Sequence, residues 1–480
     1  MEDEMSTTIF EKGRSGRRGY RLPENDCPAE GLELPVQRTG PVGIPEIGEQ
    51  EAVRHYMELA SKNYHIEKGI YPLGSCTMKY NPVVNEEIAR LEGFAGLHPA
   101  QREADVQGAL ELMYGLERSL SEICGMHSFT LQPAAGAHGE LAGMMIARDY
   151  FRNRGEERDT VIVPDSAHGT NPASVVLCGF KPQTIVSDER GLVDLDDLAA
   201  HLSDRTAVLM LTLPNTLGLF ERDIDRIVGM VHEAGGLIYM DGANMNALLG
   251  IVRPGEIGID IMHVNLHKTF STPHGGGGPG AGPVGVSENL ADFLPVPRVI
   301  CEDGRFALSY KSEKTIGRVH PYYGNFNVFV KAYAYIRTLG ARGLREVSEN
   351  AILNANYLMS LIQESYHVAF PGPCMHEFVA SAANLKKHGV RTVDVAKRLL
   401  DYGLHAPTVY FPLIVDEALM IEPVETESKE TLDHFAGVMN RIAAEAKEDP
   451  KLLHEAPRNT PVRRLDEATA ARTPDICWLD

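Results

Sequence analysis

A chain of 480 residues with 43% hydrophobic and 23% charged residues can build a sizeable core, and its length predicts a large and a small domain rather than one. The formal charge, 46 basic against 66 acidic residues or −20, argues against a nucleic-acid or acidic-membrane surface, and no apolar run approaches the roughly 18 residues of a membrane span. Seven cysteines without a CxxC pair, and a start lacking the basic-then-apolar design of a signal peptide, fit a reduced, cytoplasmic protein.

Residues 1–50 are rich in glycine, proline and charge, with a basic cluster at Lys12, Arg14, Arg17, Arg18 and Arg21. They read as an extended arm, either a solvated tail or a segment wrapping a partner subunit, followed by a helix from Gln50 to Lys62. Residues 70–82 break any regular period and carry hydroxyls, Cys76 and Lys79, which makes them either a plain connection or the wall of an active site. Apolar positions at helical spacing predict a helix over 103–124 that Gly125 stops.

A short strand, 128–132, is followed by a turn of small residues, Ala134, Ala135, Gly136 and Ala137, that opens into a helix. Such a turn exposes backbone N–H groups and a favourable dipole to an anion, so Ala135, Gly136 and Ala137 are candidate phosphate contacts. No GK[ST] follows, and the spacing is not that of a dinucleotide fingerprint. From Thr160 to Met240 strand and helix then alternate, the pattern of a mostly parallel sheet covered on both faces, in which ligands bind at the carboxyl ends of strands.

Three groups fall at such ends: His168, a ring able to stack on a flat heteroaromatic ligand; Thr212; and Asp241 with Ala243 beyond it. The next strand, 261–266, ends in His267-Lys268-Thr269 before a run of glycines, Gly275–Gly278, Gly280 and Gly282. A lysine desolvated at a buried strand end is a nucleophile able to form a Schiff base. A carboxylate at a neighbouring strand end keeps a pyridine nitrogen protonated and makes the ring an electron sink. Each residue alone reads as a core histidine, a turn aspartate or a solvated lysine. The set, in this order on one α/β sheet, points to a pyridoxal phosphate site.

After the glycines come helices over 329–339 and 344–366, with Asn350, Asn354 and Asn356 expected on an exposed face, and then a smaller α+β unit with strands 377–381 and 418–422 and helices 393–402 and 429–447. The predicted organisation is an arm and first helix at 1–65, a large α/β domain at 66–330, a small α+β domain at 331–450 and a tail at 451–480 that holds Trp478.

The stretches YPLGSCTMKYNP (71–82), LQPAAGAHGE (131–140), DSAHGTNPAS (165–174), DGANMNA (241–247), NLHKTFSTPHGGGGPG (265–280), IEPVETES (421–428) and TPVRRLD (460–466) resemble the glycine cleavage system P-protein family, within the fold type I pyridoxal phosphate enzymes. The resemblance implies that Lys268 carries pyridoxal 5'-phosphate, with Asp241 and His168 as further catalytic residues. It implies a cofactor site made by Ala135, Gly136, Ala137, His168, Thr212, Asp241, Ala243, His267 and Lys268, with no metal. Single-chain relatives have Asn-Ser where this turn has Ala134-Ala135, so backbone contacts are what the turn retains.

The implied reaction is decarboxylation of glycine, with the aminomethyl group passed to the lipoyl arm of the H-protein. A homologous half found in the single-chain form is missing here, which implies a partner, subunit 1, and a heterotetramer. Two alternatives stand beside this reading. One is another fold type I decarboxylase or desulfurase, and the other a non-catalytic scaffold half.

Overall fold

In the computed structural model of the chain, the described residues are 7–21, 23, 24, 36, 38–40, 42–274 and 279–476. Cys27, Gly275–Gly278 of the glycine run, Cys477 and Trp478 lie outside them. The chain divides into two compact units, 1–68 and 69–480.

In the first unit a capping box between Thr8 and Glu11 starts a single helical turn, Ile9–Lys12, and a second helix runs Glu49–Ser61. The basic cluster is partly folded back rather than extended. Lys12 Nζ lies 3.4 Å from Glu58, and Arg17 pairs with Glu51, so acidic residues of the second helix neutralise part of it. Arg18 and Arg21 are exposed.

The second unit contains both main sheets. Seven strands form the larger: β1 (Ser128–Thr130), β2 (Thr160–Pro164), β3 (Lys181–Ile185), β4 (Thr206–Thr212), β5 (Leu237–Gly242), β6 (Ile261–Val264) and β7 (Val284–Val286), in the order β1-β7-β6-β5-β4-β2-β3. β2 to β6 pair in parallel, while β7 runs antiparallel between β1 and β6. β4 is buried along its whole length because both faces are covered: Leu209 and Leu211 enter one core, Val208 and Met210 the other. β3, with Pro182 and an exposed Lys181, is an edge strand, where a missing N–H costs no ladder bond. The sequence reading missed β7, three residues hidden behind the glycine run.

The helix Gln107–Cys124 ends on Gly125 in the left-handed conformation (φ 69°), the stop expected of that glycine. The two helices expected over 329–366 form one element, Phe326–Ile362, broken by non-helical Gly340 (φ 60°). Asn350 is exposed, but Asn354 and Asn356 are half-buried because their amides are used: Asn354 donates to the carbonyls of Val424 and Glu427, Asn356 to those of Ile352 and Cys374.

The smaller sheet is antiparallel throughout. With the hairpin β8 (Arg298–Glu302) and β9 (Arg305–Ser309) preceding it, its strands are β10 (His367–Val368), β11 (Phe378–Ser381), β12 (Thr408–Val409) and β13 (Ala418–Ile421), ordered β10-β11-β13-β12. Its core is shared with helices Thr392–Asp401 and Lys429–Glu448. Among the described residues no helix is long and apolar enough to cross a membrane.

Candidate active site

Register across the large sheet assembles the floor of a cavity. Thr212 of β4 pairs with Asp241 of β5, and Asp241 pairs with His263 of β6, so three polar side chains stand side by side at adjoining positions near the strands' carboxyl ends. Asp241 is 3% exposed. Its Oδ1 accepts from the Ala243 N–H at 2.9 Å and lies 3.4 Å from His263 Nε2, and its Oδ2 accepts from Asn171 Nδ2 at 3.1 Å. Burial pushes its pKa up, but His263, Lys268 and these two hydrogen bonds outweigh it, and the carboxyl is held below the usual range.

Behind His263, Tyr239 Oη sits 2.7 Å from Nδ1. Burial and the carboxylates Glu140 and Asp241 push that phenol well above its usual range, so it keeps its proton. Donated to Nδ1, this proton leaves the imidazole's own hydrogen on Nε2, toward Asp241. His263 and Asn171 carry none of the strand-end signal. His263 reads as an interruption of an apolar run, and only its register with Asp241 reveals its use.

Opposite the floor, the helix Gly136–Asn153 starts at Ala135 with no side-chain cap, so its first N–H groups stay available for an anion. A Cβ at Gly136 would meet Asn265 Nδ2 at 2.4 Å, so a larger residue here would have to displace that side chain. Two polar atoms of residues lining the cavity are buried without partners, Thr212 Oγ1 and Asn265 Oδ1. Orphaned polar groups on a cavity wall suit a polar ligand.

Lys268 follows β6, is half-buried, and its Nζ donates to the Ser75 carbonyl at 3.1 Å. Lys79, the lysine of the 70–82 loop, is excluded from the Schiff-base role by its own contacts. The residue is 3% exposed, and its ammonium is ion-paired with Glu425 at 2.7 Å and bonded to Asn246 and Tyr335. His267 Nδ1 accepts from the Ala281 N–H at 3.2 Å; burial first, with His274 and Lys268 adding to it, pushes its pKa down to about 3, so the ring is neutral. His168 stands exposed at the cavity's edge, its Nδ1 2.9 Å from Thr170 Oγ1, which in turn donates to the buried Glu140 at 2.8 Å.

One cavity is thus lined by eight of the nine predicted cofactor residues: Gly136, Ala137, His168, Thr212, Asp241, Ala243, His267 and Lys268. Ala135, the ninth, caps the adjoining helix. Ser75, Glu140, Thr170, Thr216, His263 and Asn265 also line it, and the loop that holds Ser75 is the polar stretch 70–82. Among the described residues, none that lines it is an arginine.

The chain's relatives are consistent with this arrangement. The family model described as glycine cleavage system P-protein matches residues 27–303, and that described as glycine dehydrogenase, C-terminal domain, matches 347–460. A probable glycine dehydrogenase (decarboxylating) subunit 2 of Caldanaerobacter subterraneus subsp. tengcongensis is 58% identical over 483 residues, all of both chains. The Thermotoga maritima protein of the same description is 57% identical, over 98% of this chain and 99% of that one. Among solved structures, an inhibitor-bound glycine decarboxylase (P-protein) of the glycine cleavage system superposes with a TM-score of 0.70 at 20% identity, over 87% of this chain and 93% of that one. A cysteine desulfurase from Thermococcus onnurineus gives 0.60 at 14%, over 79% and 95%. At such identities the superpositions establish the fold type I architecture and no more.

Proposed function

The chain belongs to the glycine cleavage system P-protein family, and from that premise we propose that it is the pyridoxal-phosphate-carrying subunit of a two-subunit glycine dehydrogenase (decarboxylating). The observation that carries the reading is Lys268 and an ionised Asp241 lining one cavity beside an uncapped helix N-terminus.

The residues fit the cofactor. Lys268 would attach it covalently. The backbone N–H groups of Gly136 and Ala137 would offer donors for its phosphate. Asp241 would hold a proton at its ring nitrogen, the unpartnered Thr212 hydroxyl beside it would offer a further polar contact, and the exposed His168 ring would cover its face. Pyridoxal phosphate, when bound, supplies an electron sink for the pair left as CO₂ departs from glycine.

The chain's own contribution is electrostatic and positional. The Tyr239–His263 pair and the Ala243 N–H fix the Asp241 carboxylate before reaction, so little reorganisation is needed as charge develops. A lining without arginine leaves glycine's carboxylate weakly held, and tight binding of a departing group would not speed its loss. Neutral His267 and His274, the latter pushed to about 4 by burial and then Lys268, add no competing positive charge.

The partners belong to the same reading: a homologous subunit 1, and the lipoylated H-protein that takes up the aminomethyl group, in the cytoplasm. The same reading divides the chain into an arm (1–65), a large domain (66–330), a small domain (331–450) and a tail (451–480), and the first segment is the part expected to order against the partner.

The test is exchange of labelled CO₂ into glycine by the purified, cofactor-loaded chain with lipoylated H-protein, with and without the co-purifying partner. Exchange that requires both glycine and H-protein is expected, with the partner raising it. No exchange under any combination would overturn the function, and full exchange by this chain alone would overturn the need for the partner.

A further inference from the structure

Behind the loop that holds Ser75 lies a second group of titratable side chains. His376, Glu377 and Glu422 are each 1% exposed or less, and one ring nitrogen and two carboxyl oxygens lie within 4.8 Å of one another. His376 has no partner for either nitrogen, and Glu422 Oε2 has none either.

The two carboxyls are used differently. Both oxygens of Glu377 accept, one from the Ser75 N–H at 2.6 Å and the other from Asn244 Nδ2 at 3.2 Å. Two incoming donors suit an ionised carboxylate. Glu422 accepts only on Oε1, from Thr77 Oγ1 at 2.6 Å, which leaves Oε2 free to carry a proton. Two ionised carboxylates this close in a dry wall would repel strongly, so one proton is retained between them.

Ser75 joins this pair to the cavity. It has φ 59°, a left-handed conformation that costs a serine free energy unless its surroundings impose it, and here the Glu377 carboxylate takes its N–H while its carbonyl takes Lys268 Nζ. We infer that Glu377 and Glu422 form a close carboxyl pair in which Glu422 keeps its proton and Glu377 is ionised, and that the Glu377 charge, relayed across Ser75, positions Lys268 and sets its protonation. Glu377 is thus a positioning residue for the amine that takes the cofactor, and this rests on the function proposed above.

The groups facing the pair are Lys268, Cys76, His376 and Glu425, the last already paired with Lys79. Lys268 also faces Asp241, His267 and His274. Both histidines are held neutral, and the thiol of Cys76 is pushed up by burial and stays protonated. Asp241 is committed to His263. Glu377 is therefore the adjustable charge beside the amine.

The test uses the full chain freed of cofactor. Brief exposure to pyridoxal phosphate and borohydride over a range of pH, followed by peptide mapping, gives the midpoint at which Lys268 becomes reactive. In Glu377→Gln the midpoint should fall by about one pH unit, so that labelling below it is about tenfold faster, while the high-pH plateau stays within about twofold. Glu422→Gln, which fixes the neutral form, should leave the whole profile within about twofold. A purely structural role for Glu377 would lower the plateau and leave the midpoint unmoved.

The infrared difference between the wild-type chain and Glu422→Gln should contain a protonated-carboxyl band at neutral pH, and the subtraction cancels Glu117 and Glu221, whose carboxyls burial also pushes up. An unmoved midpoint in Glu377→Gln, an equal shift in Glu422→Gln, or no such band in the difference would each overturn the inference. Labelling on a lysine other than Lys268 would overturn the functional reading beneath it, and the inference with it.

Discussion

Two buried trios, each combining a carboxyl with an imidazole, flank Lys268 and behave oppositely. On the sheet floor, Asp241, His263 and Tyr239 are joined by contacts of 2.7 and 3.4 Å, backed by Asn171 and the Ala243 N–H, and Asp241 is held ionised. On the wall, Glu377 is pushed up to about 7 and Glu422 well above its usual range, burial being the main cause in both, while burial drives His376 down to about 3. Burial alone favours the neutral form of every group. What reverses it on the floor is a full set of partners at short range, whereas on the wall only Glu377 has them, and both nitrogens of His376 and Glu422 Oε2 have none.

The most severe break is at the residue both trios face. Lys268→Ala should abolish borohydride-stable attachment of pyridoxal phosphate and cut glycine–CO₂ exchange by at least about 10⁴-fold, with the fold retained. Mass mapping that found the cofactor on another lysine would contradict this.

Asp241→Asn removes the charge that the floor exists to hold. Cofactor should stay bound, while kcat drops on the order of 10³-fold. Near-normal turnover in the fully loaded variant would take Asp241 out of its assigned role.

Tyr239→Phe probes the second partner in line. Losing the 2.7 Å contact to His263 should cost about 1–3 kcal/mol of stability in urea unfolding and lower kcat about tenfold, through a less firmly oriented Asp241. A change in neither would show that the floor does not work as a relay.

The smallest effect is expected on the wall. His376→Phe removes a ring whose nitrogens bond to nothing, so stability near pH 8 should change by less than about 1 kcal/mol. A buried histidine with a depressed pKa binds its proton more readily when unfolded. Its contribution is therefore whole above the unfolded pKa of about 6.5 and is lost as pH falls toward about 3. Relative to wild type, His376→Phe should gain on the order of 1 kcal/mol per pH unit through that window, read as the difference between two unfolding series. A gap that stays constant with pH would mean His376 is not held neutral.

The alternation of strand and helix from Thr160 to Met240, and the strand-end positions of Thr212, Asp241 and Lys268, were legible in the sequence because hydrophobic period and turn residues act locally. The order of the chemistry-bearing motifs along the chain also carried the resemblance to the family. Other features depended on distance in space. His263 gains its use from the register that sets it beside Asp241, and Ser75, Glu377 and Glu422 meet although some 300 residues of chain separate them (Ser75–Glu377 spans 302, Thr77–Glu422 spans 345). The strand end before the glycine run marked Lys268 over Lys79 in the sequence, and packing shows what becomes of each: Lys79 is locked to Glu425, and Lys268 lines the cavity. Sequence period determines which face of an element is apolar; which polar groups then share a dry space, and so which keep their charge, is decided by tertiary contact, because the cost of burying a charge depends on its nearest neighbours.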